Sequence, residues 1–108
     1  MASSETVLQF ILDQFSDLEN MAYRPMMGEY LLYYEGKLFG GIYDDRLLVK
    51  PVPAALDYVK PAAFARPYEG AKEMLLVENV DDREFLTGLV RTMYEDLPSP
   101  KPKRRWRN

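Results

Sequence analysis

Residues 23–50 read YRPMMGEYLLYYEGKLFGGIYDDRLLVK, and this stretch decides the fold. Aromatic and aliphatic side chains fill both alternating faces of residues 30–34, a pattern that suits an interior strand better than a half-exposed one. Glu35-Gly36 follows as a two-residue turn whose glycine can take positive φ, so residues 30–34 and 37–43 are expected to pair as a hairpin. Asp44-Asp45 makes the next turn, and residues 46–50 return as a third strand with Leu47 and Val49 on one face. An Arg-x-Met-Met-Gly step, Arg24 to Gly28, introduces this ribbon. Gly40-Gly41 lies inside the second strand, where glycine marks a bulge or a close approach by another group.

On the amino-terminal side, Ser3 or Ser4 can cap a helix reaching to about residue 18, closed by Asn20 and Met21. Its apolar stripe is Val7, Leu8, Ile11, Leu12, Phe15 and Leu18, while Phe10 falls off the stripe and is expected to be exposed. On the other side, Pro51 and Pro53 stop the third strand, and Pro53 suits the first turn of a short helix over residues 54–59. Residues 61–67 read as a connecting loop and residues 74–77 as a strand. Asp81, with Glu84 three residues on, resembles a capping box opening the last helix. That helix carries Phe85, Leu86, Leu89, Val90, Met93 and Leu97 on one face, with Arg83, Thr87, Arg91 and Glu95 opposite. The prediction is an α+β domain over residues 1–97, one antiparallel sheet of about five strands with helices packed on it, followed by a basic tail over residues 98–108.

Composition narrows function by exclusion. With no cysteine and no histidine, thiol catalysis, disulfides, imidazole general bases and histidine metal sites are unavailable. No apolar run approaches the ~20 residues a membrane-spanning helix needs, and the start, MASSETVLQF, has neither a basic region nor a long apolar one for export, so cytoplasmic residence is the expectation. The formal charge of −3 is uneven: without Lys101, Lys103, Arg104, Arg105 and Arg107, nine basic residues face seventeen acidic ones. Polyanion affinity would therefore reside in the tail, where Trp106 can stack between basic neighbours; a solvated tail that aids solubility is the plainer reading.

Several polar residues sit in or beside the apolar strands. Arg24, Glu29 and Lys50 can form a small cluster recognising an anion or a partner carboxylate near Gly28 and Gly40-Gly41; the favoured structural alternative is an Arg24–Glu29 pair fixing strand register. Asp44-Asp45 and Asp81-Asp82 read as turn and cap residues, since a calcium loop needs more oxygen ligands at set spacing. Met74 and Met93 sit on core-facing patterns, whereas Met26-Met27, taken as adjacent strand residues, point to opposite faces, so that one can reach a surface or a dimer seam.

Taken in order and spacing, the features resemble the N-terminal domain of the TfoX/Sxy competence-regulator family over residues 5–97. The residues that carry the resemblance are Tyr23-Arg24-Pro25-Met26-Met27-Gly28, the aromatic strand of residues 30–34, Gly36, Gly40-Gly41 and Leu48-Val49-Lys50, then Pro67-Tyr68, the strand of residues 74–77 and the helix of residues 81–94. The resemblance implies a secretion-chaperone-like α+β domain, often dimeric, in regulators that help a cyclic-AMP receptor protein activate DNA-uptake genes. Those relatives usually carry a second, helical domain, which is expected to be missing here. The expectation is a non-enzymatic, cofactor-free regulatory or protein-interaction domain, homodimeric and able to meet a transcription regulator through Arg24, Met26, Met27, Gly28, Gly40, Gly41 and Lys50. A small-ligand pocket near Arg24, Gly28 and Gly41 is the runner-up, and nucleic-acid contact through the tail the third reading.

Overall fold

The computed structural model describes residues 3–98; the basic tail from Lys101 to Arg107 lies outside them. The quoted stretch folds into four strands rather than three: β1 (Met21–Met26), β2 (Glu29–Tyr34), β3 (Lys37–Tyr43) and β4 (Arg46–Val49). Each neighbouring pair is joined by a two-residue turn, and all six turn residues have positive φ: Met27 and Gly28, Glu35 and Gly36, Asp44 and Asp45. That is the signature of the type I′ hairpin, whose twist matches that of the strands it joins. Three such turns in succession make an antiparallel meander.

The sheet has one strand more than the expected five or so, and two of its strands lie where the sequence reading places none. The segment read as an Arg-x-Met-Met-Gly entry step is β1, and it contains Pro25. Edge strands tolerate proline where the missing N–H faces away from the ladder, and that is the case here. The Glu35 amide donates to the Asn20 carbonyl at 3.1 Å, and the register pairs Met21 with Tyr34 and Arg24 with Leu31. Since hydrogen-bonding direction alternates along a strand, Ala22, Arg24 and Met26 bond to β2, while the backbone polar groups of Met21, Tyr23 and Pro25 point outward. The second addition is β5 (Phe64–Ala65), a two-residue strand inside the expected loop that pairs with β6 (Met74–Val77). The sheet is therefore six-stranded, ordered β1-β2-β3-β4-β6-β5.

All three helices belong to one face of this sheet. They are α1 (Glu5–Gln14), shorter than expected because residues 15–20 form turns, α2 (Pro53–Tyr58) and α3 (Arg83–Met93). Leu8, Ile11 and Phe15 of the first segment, Ala55, and Leu86, Leu89, Val90 and Met93 of α3 close over Leu32, Phe39, Ile42, Leu47, Val49, Leu75 and Val77. Phe15 and Phe39 meet edge to face, 5.7 Å apart, at the centre. Burying each ring contributes roughly 1.5–3 kcal/mol, with about 0.5–1.5 kcal/mol more for the aromatic geometry. Ser4 caps α1 as expected, but the cap of α3 is Asp82, whose carboxylate accepts from the Phe85 amide at 3.0 Å, not Asp81. Thr87, expected on the wet side of α3, is buried, and Met74 sits one residue out of phase with core-facing Leu75. At the far end, Lys37 donates to the Tyr94 carbonyl at 3.0 Å and lies 4.0 Å above the Tyr94 ring, which ties the last turn of helix to the β2–β3 hairpin.

Candidate functional site

With every helix on one side, the opposite face of the sheet is built from the strand residues between the core positions. Register aligns them in cross-strand rows. One runs Arg24, Leu31, Gly41, Leu48, Leu76; a second pairs Ala22 with Tyr33 and Leu38. The β3–β4 part of this face has a cover of its own. Tyr43 and Leu48 are buried, the Tyr68 ring lies 6.4 Å from that of Tyr43, and Arg46 donates to the Arg66 carbonyl at 3.0 Å, so residues 66–68 cross the sheet there. Burial pushes the Tyr43 phenol above its usual value, reinforced by Tyr68, Glu29 and Tyr33 beside it. Over β1–β3 no helix lies on this face among the described residues, and Leu31, Tyr33, Leu38 and Met26 are half-buried only by one another and the sheet. A continuous apolar surface results, with Arg24 on its rim.

The paired glycines shape that surface. Between Leu32 and Tyr33 the β2–β3 register slips by one, leaving Phe39 as the extra residue of a bulge that aims its ring into the core. A side chain on Gly40 would strike the Leu48 carbonyl and the Val49 Cα. One on Gly41 would sit 2.6 Å from the Tyr30 carbonyl and 2.7 Å from the Tyr43 ring. Both readings of the pair, bulge and close approach, hold at once. The glycine at 41 also lets the Tyr43 ring lie flat over the sheet, so the space beside it is filled rather than open.

The polar residues are dispersed. Glu29 accepts from the Ser3 hydroxyl at 2.6 Å and from the Asp44 amide at 3.1 Å, the Asp45 amide donates to the Ser3 hydroxyl, and the Asp45 carboxylate accepts from the Ser4 amide. These contacts knot the start of α1 to two hairpin tips, and they occupy Glu29, so the Arg24–Glu29 pair does not form. Arg24 and Gly41 share a row with Leu31 between them, roughly 10 Å apart at two strand spacings. Lys50 follows β4, a further strand away, with its amide donating to the Phe39 carbonyl. Met26 and Met27 are not opposed strand residues. Met26 ends β1, and Met27 occupies the turn with φ 53° and is 95% exposed. Gly28 completes that turn and accepts from the Ser3 amide through its carbonyl. Phe10 is exposed at 47%, as its position off the stripe requires.

A cavity of about 510 Å³ opens elsewhere, lined by Asp17, Glu84, Thr87, Gly88 and Arg91. The Thr87 hydroxyl oxygen is buried without a partner. Among the described residues, no three acidic side chains gather as cation ligands, and no helix is long and apolar enough to cross a membrane.

Leu31, Tyr33 and Leu38 are surface residues that the sequence-derived site set does not name, although aromatic residues around 30–43 are its expected apolar anchors; the two-sided apolarity of residues 30–34 carries their signal but fits burial on both faces equally well.

Comparison with known proteins agrees with this architecture. The family described as "TfoX N-terminal domain" matches residues 13–95. A protein of Spirochaeta aurantia, "Uncharacterized 12.7 kDa protein in trpE 5'region", is 30% identical over 105 residues, covering 96% of this chain and 91% of its own. No solved structure matches.

Proposed function

The chain belongs to the TfoX N-terminal domain family, and from that premise we propose that it is a non-enzymatic regulatory module that binds a protein partner through the uncovered face of β1–β3. One observation carries the reading: the sheet is roofed on one side by three helices, while Met26, Leu31, Tyr33 and Leu38 form an apolar surface with no layer across it among the described residues. Apolar anchors with one charged group on the rim are the usual make-up of an interface core. Here Leu31, Tyr33 and Leu38 supply area and Arg24 supplies orientation. The partner class that the family resemblance implies is a transcription regulator. Catalysis has little support, because the chain has no histidine or cysteine, and Glu29, Asp45 and Asp82 are each engaged in a turn or cap.

Affinity capture with the wild-type protein and with Leu31→Lys and Leu38→Lys variants tests the proposal. Both positions face away from the main core, so the variants should keep the wild-type circular dichroism and melting profile. A stoichiometric protein retained by the wild type and by a Phe10→Ser control, but lost from both lysine variants, is the expected result. Retention by the lysine variants would remove the face from the reading. Saturable heating-curve shifts with a small metabolite, in place of a protein partner, would replace it with a ligand-binding one.

A further inference from the structure

The sheet ends very differently on its two sides. One edge is β5, only two residues long. The other is β1, six residues, of which Ala22, Tyr23, Arg24 and Pro25 are exposed and whose outer side pairs with no strand among the described residues. A long open edge is a template for another strand, and proteins that leave one usually blunt it with charge, proline or a bulge. Pro25 does not blunt this edge fully, because it lies near the end of the strand and leaves the outward amides of Met21 and Tyr23 free.

We infer that this edge pairs with β1 of a second copy of the chain, antiparallel and centred on Tyr23, so that two six-stranded sheets become one. The outward groups fit this two-fold register. Tyr23 opposite Tyr23 of the partner exchanges two hydrogen bonds, and each Met21 amide meets the other copy's Pro25 carbonyl. Four bonds form and no donor on either strand is wasted; the outward Met21 carbonyl gains no partner, because the opposed Pro25 has no N–H to give. Shifting one pleat toward the carboxyl end would set Arg24 against Arg24. Shifting toward the amino end would run Pro25 past Asn20, where φ is 63° and the strand turns away.

Charge complementarity supports a second copy as the occupant. In the Tyr23-centred register Arg24 stands opposite the other copy's Ala22, with Asn20 as its diagonal neighbour, within reach of a long side chain. That Asn20 side chain already donates to the Glu35 carboxylate at 3.1 Å. Arg24 takes part in none of the ion pairs among the described residues. Each interface therefore brings two guanidinium groups to two carboxylates, related by the two-fold axis. The edge shares only Arg24 with the apolar face, so Glu35→Arg probes the edge and Leu31→Lys the face independently.

Sedimentation across a concentration series, combined with residue-resolved amide exchange, tests the inference. The expected result is a reversible dimer in which the Met21 and Tyr23 amides gain protection as concentration rises. Arg24→Glu and Glu35→Arg should each weaken dimerisation about tenfold or more, as two exposed attractive pairs become repulsive, and the Arg24→Glu/Glu35→Arg double variant should recover it. A dimer whose Met21 and Tyr23 amides exchange freely would place the seam elsewhere and overturn the inference while leaving the face reading intact. A chain that stays monomeric to about millimolar concentration would overturn it too, and capture by the apolar face would then be judged on its own variants.

Discussion

Gly40→Ala isolates the central constraint of the ribbon. Gly40 pairs with Leu32 on one side and Val49 on the other, and the bulge at Phe39 turns its α-carbon toward β4. A methyl group there would lie 2.8 Å from the Val49 Cα and closer still to the Leu48 carbonyl oxygen. Both obstacles are backbone, so no side-chain rotation relieves the contact and β4 must move outward. That movement stretches the Lys50 amide to Phe39 carbonyl bond, now 2.8 Å. Overpacking of about 1–3 kcal/mol and a weakened buried hydrogen bond of about 0.5–1.5 kcal/mol combine to a loss of about 1.5–4.5 kcal/mol. Domains of this size are stable by only about 5–15 kcal/mol, and the loss corresponds to a drop in Tm on the order of 10–20 °C. Gly70→Ala is the matching control. Gly70 has φ 89° and nothing within 4 Å of an added Cβ, so its cost is conformational alone, about 1–2 kcal/mol. Asparagine at position 70 should recover much of that loss, whereas asparagine at position 40 should recover none. Urea unfolding with a constant m-value measures each change. If Gly40→Ala falls within 0.5 kcal/mol of wild type, the close-approach reasoning is wrong.

Three further outcomes follow from the same geometry. Met27→Asn should stabilise the protein by about 0.5–1 kcal/mol, because Met27 has φ 53° and is almost fully exposed, and Asn-Gly is the favoured pair for such a turn; a lower Tm would contradict it. Ser3→Ala should cost about 1–3 kcal/mol by stripping Glu29 and the Asp45 amide of a shared partner, measured by denaturant unfolding with Thr6→Ala as a surface control. Stability should also fall in alkali. Burial raises the phenols of Tyr43 and Tyr58, the latter helped by Asp82, so the folded state holds protons that the unfolded state releases near its ordinary pKa of about 10. The contribution is complete below that pH and is lost as pH rises through the folded values. Tyr43→Phe should flatten the alkaline limb of a Tm–pH profile, and an unchanged limb would mean the phenol is not desolvated.

The meander was legible because turn chemistry is local. Glu35-Gly36 and Asp44-Asp45 announce tight turns, and alternation beyond them sets which residues face the helices. The paired glycines announced a bulge and a close contact for the same reason, since a missing side chain has few uses inside a strand. Family membership was legible too, because it rests on the order and spacing of such local features. What only the tertiary structure decided depends on neighbours far along the chain. Pro25 argues against a strand until β1 is seen to be an edge whose outward N–H is not needed. Glu29 looks free to pair with Arg24 until the start of α1 arrives with Ser3. Leu31 and Leu48 share one row, yet one is half open and the other fully covered, because residues 66–68 cross only one end of the face. Periodicity assigns a residue to a side of the sheet; which part of that side is covered is settled by a loop that folds back from twenty residues downstream.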